Sequence, residues 1–230
     1  MKALHSITTL VALLALAPLC RAQREFISSD GKKLLADLVS ASDAEVTLKR
    51  ASDGKEFKLA LDRLSEADQG FVKEWLEKKK RNTRPERQFE LTLKGGETRT
   101  VDVPEGEYLA EDGTLTLCPG DTIHLEFDEA GKPQVVSEVK DPRRTVTFSM
   151  SHKEDMTMLS RSTKMKETVA MDCTHRGVGS EKFARTNLHP TEKGLAAFES
   201  WPGSVWTLKL SNFEVTDRSA SEVYQERVSK

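Results

Sequence analysis

Reactive and unusual residues are scarce in this chain. Its 230 residues include three Cys, two Tyr and three Trp, and aromatics make up only 6%. There is no G-x-S-x-G elbow, P-loop, H-E-x-x-H helix or dinucleotide fingerprint. The common hydrolase, nucleotide-dependent and zinc-protease chemistries therefore have no foothold, and the residues read as a non-enzyme without a cofactor. An excess of one charge is missing too. Lys+Arg number 35 against 37 Asp+Glu, a net charge of -2, so charge gives no reason to expect nucleic acid or a membrane surface as partner.

Long apolar runs are absent except for one. Residues 7–19 are apolar apart from two Thr and one Pro, follow a positive Lys2, and lead to Cys20-Arg21-Ala22. This is the pattern of a cleaved export signal over residues 1–22, too short to span a bilayer comfortably. A lipoprotein reading through Cys20 fits less well, because Leu19 sits where a small residue is wanted. The expectation is an exported protein, periplasmic or extracellular, with no stable membrane insertion after cleavage. Export leaves two cysteines, Cys118 and Cys173. In an oxidising compartment an even pair predicts a disulfide, which over so long a loop would add roughly 3–5 kcal/mol. The alternative is two buried free thiols.

Residues 24–76 carry the clearest pattern. Arg24-Glu25-Phe26-Ile27 starts a strand and Asp30-Gly31 turns it. Leu34, Ala36 and Leu38 then alternate with Leu35, Asp37 and Val39. Val46 and Leu48 alternate with Thr47 and Lys49, Asp53-Gly54 signals a hairpin, and Phe57, Leu59 and Leu61 complete another alternating run. The period then changes. Ser65 is placed as a helix N-cap answered by Asp68, and Phe71, Val72, Trp75 and Leu76 share one helical face. That face is expected to close a small bent barrel, with Phe71 and Trp75 as its seal.

The order R-x-F-x-S-x-D-G, A-x-L-V, V-x-L-K-R-x-x-D-G-K and L-x-L-x-x-L-S-x-x-D-Q-x-F-V runs from Arg24 through Gly31, Val39 and Gly54 to Ser65, Asp68, Gln69 and Val72. It resembles the first homology domain of the SLA-type adaptors, over about a quarter of the chain. The resemblance implies an SH3-like barrel and a protein-binding or bridging role. A fungal member of that family binds NPFxD peptide signals, and cytoskeletal or ubiquitin partners are described for others. Exported chains also carry this domain, and for them the resemblance supplies no ligand. A peptide groove needs a basic rim beside apolar surface. Lys49, Arg50, Lys55 and Lys58 bracket the Asp53-Gly54 hairpin and are the candidates to hold an acidic ligand residue. The alternative is that they solubilise a sheet edge.

Residues 78–88, KKKRNTRPERQ, contain no apolar residue and read as a linker after a barrel domain at 23–77. Residues 89–215 then read as strand after strand, an antiparallel β-sandwich, and 216–230 as a polar tail, loose or helical. The fold class is mainly β. Within the second region, LTLKGGETRTVDV at 91–103 and LTLCPGDTIHLEF at 115–127 match, predicting two equivalent hairpin corners. Met150, His152, Met156, Met158, Met165, Met171, Cys173 and His175 form a soft set of the kind that holds copper, although gap-filling in a thin core explains the Met residues as well. Trp201, held extended by Pro202, is either an aromatic platform for a sugar or a plug between sheets. The reading is a non-catalytic protein or peptide binder of the cell envelope. Carbohydrate binding through the sandwich and copper handling are the alternatives.

Overall fold

The structure is a computed structural model that describes residues 23–93 and 95–229. The expected export signal, residues 1–22, lies outside them. The chain is mainly β and divides after Leu76 into two compact units.

In the first unit, β1 (Arg24–Ile27), β2 (Lys33–Ala41), β3 (Glu45–Arg50) and β4 (Glu56–Ala60) form an antiparallel sheet in sequential order. Gly31 and Gly54 take the positive φ that the two Asp-Gly turns demand. The alternation read from the sequence is the alternation of burial: Phe26, Ala36, Val46 and Leu48 point inward and are buried. A register shift between Leu38 and Ser40 places a bulge at Val39, which bends β2. A single 3-10 turn, Leu61–Arg63, follows β4. Leu64 then bridges Ser28, with Ser65 N–H donating to Ile27 O at 2.7 Å. The sheet thus curls back on β1 through one bridge. Among the described residues it does not close as a barrel.

Helix α1 (Glu66–Asn82) lays Val72 into this curl, with Phe71 and Leu76 at its border. The expected seal is corrected here. Val72 is fully buried, while Trp75 is only half-buried and stands outside the core cluster.

The expected linker is also corrected. Residues 78–82 continue α1, and β5 (Thr83–Arg84) pairs with β8 (Gly106–Glu107). β6 (Arg87–Thr92) pairs with β7 (Thr98–Val103). Asn82 replaces apolar packing with a pair of hydrogen bonds, donating to Leu109 O at 2.7 Å and accepting from Leu109 N–H at 2.8 Å. A polar stretch is ordered by backbone-like bonds that composition does not register.

The second unit is a sandwich. One sheet has the order β11 (Pro133–Val136), β10 (Thr122–Phe127), β12 (Thr145–Lys153), β13 (Met156–Thr163), β16 (Ala196–Pro202). The other has the order β15 (Ala184–Thr186), β14 (Thr168–Gly177), β17 (Val205–Thr216), β9 (Leu115–Leu117). Alternate residues of both sheets, among them Leu125, Phe148 and Leu159 on one and Leu117, Met171 and Leu208 on the other, share one buried core. Met156 and Met158 thus lie on β13 and Met171 on β14, each an inner strand of its sheet. The tail contains α2 (Ala220–Val228), capped by a reciprocal Ser219/Glu222 box and anchored by fully buried Val223.

The two LTL corners are not equivalent. The first is a hairpin, β6 to β7, but the second carries the chain from β9 in one sheet to β10 in the other. The buried carboxylate of Asp121 directs this crossing. It accepts from Cys118 N–H at 2.7 Å and from Arg87 at 2.6 Å, while Gly120 supplies a φ of +90°. At the first corner Gly96 and Glu97 stand where Gly120 and Asp121 stand in the second, and Glu97 is exposed.

Candidate functional site

The basic residues around the first unit's hairpin do not form one rim. Strand alternation sends Lys49 and Lys58 to the outer face of the sheet, opposite Asp37 and Thr47 respectively. Arg50 lies on the other side of β3, where it pairs with Asp53 at 3.1 Å and sits 5.9 Å from the Phe57 ring. Lys55 belongs to the hairpin tip, its N–H donating to Asp53. Lys49, Lys55 and Lys58 are exposed and make no ion pair among the described residues.

The register brings an apolar residue to the same outer face. Leu35, 49% exposed, is two residues along β2 from Asp37, which faces Lys49. Leu35, Lys49 and Lys58 therefore step diagonally across β2, β3 and β4. The alternation of Leu35 with partly buried Leu34 and buried Ala36 is the sequence signal for this exposed leucine, since consecutive strand residues face opposite ways.

Behind that face, Asp68 locks the helix to β1. Its side chain is 3% exposed and accepts from Arg24 at 3.0 Å, from Ile27 N–H at 2.7 Å and from the Ser65 hydroxyl at 2.9 Å. Burial works to raise its pKa, but the Ile27, Arg24 and Ser65 hydrogen bonds outweigh it and hold the carboxyl below its ordinary range. This is a brace: every carboxylate partner is structural.

In the second unit the expected disulfide is corrected. Cys118 and Cys173 are free and buried. Cys173 lies opposite Leu210 of β17, and Leu210 lies opposite Leu115 of β9. A whole strand thus separates the two cysteines, and Cys118 is displaced three residues further along. Two strand spacings alone are about 9–10 Å, beyond the roughly 7 Å limit on Cα separation for a bridge. Burial pushes the Cys173 thiol up to about 12 and also raises that of Cys118, so neither is a ready thiolate.

The soft residues are not gathered into a site. Met150 faces the core, and Met156 and Met158 face outward from the neighbouring strand. Met165, Met171 and Cys173 are embedded in apolar packing. His152 is held by Thr157 and Thr92, and His175 lies against Trp201 at 6.1 Å. Among the described residues no group of three His, Cys, Asp or Glu is placed to hold a metal. Trp201 packs against the sandwich core, so it is the plug of the two alternatives. A different tryptophan, Trp206, lines an open cleft of about 360 Å³ with Arg99, Thr100, Asp102 and Gly179. Trp206 sits at a register shift in β17, which period-2 reading cannot anticipate.

No family model, no curated protein and no solved structure matches the chain.

Proposed function

We propose that this is a non-catalytic binding protein of the cell envelope whose first unit engages an extended protein or peptide segment through the outer face of its sheet. The observation that supports it is that exposed Leu35 shares the outer face of the sheet with Lys49 and Lys58, neither of which makes an ion pair among the described residues. An apolar residue of the partner would cover Leu35, and an acidic one would meet the two lysines. The likeness of residues 24–76 to a protein-binding adaptor domain points the same way, as does the export signal read at residues 1–22. Arg50 is left out of the binding set because Asp53 and Phe57 already occupy it. Lys55 remains a peripheral contributor.

The test uses a displayed library of peptides combining acidic and apolar residues, selected on the whole protein. Enriched peptides are expected to lose at least about tenfold in affinity, or about 1.4 kcal/mol, on K49E/K58E, with little change in melting temperature. Undiminished binding to that double variant overturns the reading.

A second reading, carbohydrate binding by the sandwich, is favoured by one feature, the Trp206 cleft. Its indole offers an apolar face to a sugar ring, while Arg99 and Asp102 supply donor and acceptor groups for hydroxyls. A glycan array with the whole protein and W206A decides it, and equal signals from both would remove it.

A further inference from the structure

The outer face of the sheet β15-β14-β17-β9 gathers cations. Cys173, Leu208 and Leu210 turn into the sandwich core, so alternation turns Thr174, Arg176 and Lys209 outward. The register places Arg185 of β15 opposite Thr174 of β14, Thr174 opposite Lys209 of β17, and Lys209 opposite Thr116 of β9. Cation and hydroxyl therefore alternate across four strands, at steps of about 5 Å. Arg176 stands two residues along β14 from Thr174, about 7 Å away. Phe183 draws two of the cations together: its ring centroid lies 5.2 Å from the Arg176 guanidinium carbon and 4.7 Å from Lys209 Nζ.

Like charges crowded on one sheet face repel, and facing carboxylates normally relieve them. Among the described residues Arg176, Arg185 and Lys209 make no ion pair, and Arg185 and Lys209 are exposed. Asp172, two residues before Thr174, is taken up by Arg227 at 3.0 Å and by Asn212 at 2.7 Å. Asp112 feels the Lys209 charge but accepts its hydrogen bond from Thr114 N–H. The chain holds more acids than bases, 37 against 35, so the cluster is local and does not reflect a basic chain.

We propose that this face binds an anionic polysaccharide, with Arg176, Arg185 and Lys209 meeting its carboxylate or sulfate groups and Thr174 and Thr116 meeting the hydroxyls between them. Three cations without acid partners complement a polyanion, and each guanidinium offers forked donors that fit a carboxylate or the oxygens of a sulfate. The interleaved threonines point to a sugar polymer, because their hydroxyls both donate and accept, as the neutral groups of a saccharide require. Peptide and membrane partners call for an apolar anchor. Among the described residues, none of the large exposed apolar side chains belongs to these four strands. Phe183 is already engaged by two cations, so it is not a free platform for the bases of a single-stranded nucleic acid.

The experiment is calorimetric titration of the whole protein at low salt with polygalacturonate and with dextran sulfate, beside neutral dextran, polyglutamate and duplex DNA. The variant is R185E/K209E, checked for an unchanged melting curve by circular dichroism. R185Q/K209Q takes its place if the reversed charges prevent folding. At least one of the two anionic polysaccharides is expected to bind, with an affinity that falls as salt is raised. It should bind at least about tenfold more tightly than the three comparison polymers, and at least about tenfold more weakly to the variant. Silence toward both anionic polysaccharides overturns the proposal, as does undiminished binding to the folded variant. Equal binding of polyglutamate or DNA overturns it as well, in favour of an acidic protein or a nucleic acid. K49E/K58E makes the same change of charge in the first unit and should bind the polysaccharide as wild type does, so this result and the peptide reading fail separately. The Trp206 cleft is likewise tested apart, on W206A.

Discussion

Arg24 lies with its Nη2 3.0 Å from Oδ1 of Asp68, and its guanidinium also covers the Phe71 ring at 4.1 Å. One side chain at the start of the first strand thus touches two successive turns of the helix that closes the sheet. The carboxylate is the buried member of the pair and the Arg24 side chain is 42% exposed, so the two do not contribute equally. Removing the arginine exposes Asp68 to water. Removing the carboxylate strands an N–H of Ile27 and a hydroxyl of Ser65.

D68A is accordingly expected to destabilise the first unit by about 3 kcal/mol. D68N, which still presents an acceptor to Ile27, should cost about 1–2 kcal/mol. R24A should cost less than D68A, because its lost ion pair is partly screened by solvent. Urea unfolding of the three variants ranks them, and R24A proving the most damaging would contradict the assignment of Asp68 as the hub.

The same carboxylate gives a pH dependence whose sign is fixed. Its folded pKa lies below the ordinary 3.8, so the folded state binds its proton less readily than the unfolded chain. The stability it contributes is fully present above the unfolded pKa and is lost as pH falls through the folded one. The stability of the first unit should therefore drop on acidification below about pH 5, and D68N should flatten that slope. Parallel slopes in wild type and D68N would assign the acid sensitivity to other carboxylates.

The first unit was legible because its signals are local. Asp-Gly turns, period-2 alternation and the Ser65 cap each act within a few residues, and each recurs in the structure. What escaped is long-range. Trp75 shares a helical face with Val72, but which of them is buried depends on where the curled sheet presents its opening. The Cys118–Cys173 expectation failed on strand order, since only the topology reveals that β17 runs between them. Asp121 and Glu97 occupy matching places in similar motifs, and they diverge because Arg87 reaches one of them from 34 residues away. The outer-face set of Leu35, Lys49 and Lys58 could be assembled only once the register was known, although each member's facing followed from alternation.

The two cysteines make a chemical prediction. In the folded protein at pH 8, Cys118 and Cys173 should resist iodoacetamide, because both are buried and their thiolates are disfavoured. Under denaturing, non-reducing conditions both should alkylate. Mass spectrometry of the peptides containing them reads the result directly. Peptides that remain joined until reduced would show that the strands had rearranged to bring the sulfurs together.

Arg161 presents the sharpest asymmetry in the sandwich. Its side chain is wholly buried, with one guanidinium nitrogen on Glu199 at 3.0 Å and another on His189 O at 2.6 Å. Among the described residues its Nε has no hydrogen-bond partner. Glu199 is 26% exposed and can be rehydrated if the arginine is lost. E199A instead strands a cation that cannot reach water, and should cost about 3–5 kcal/mol. R161M replaces the cation with an apolar chain of similar length in an apolar core, and should cost distinctly less, because only a solvent-reachable carboxylate is left behind. Thermal unfolding of both single variants and of the R161M/E199A pair measures the coupling. The double variant should be more stable than E199A alone. If adding R161M to E199A recovers nothing, the stranded charge is not what makes E199A costly, and the loop carrying His189 would have to be the element whose loosening matters.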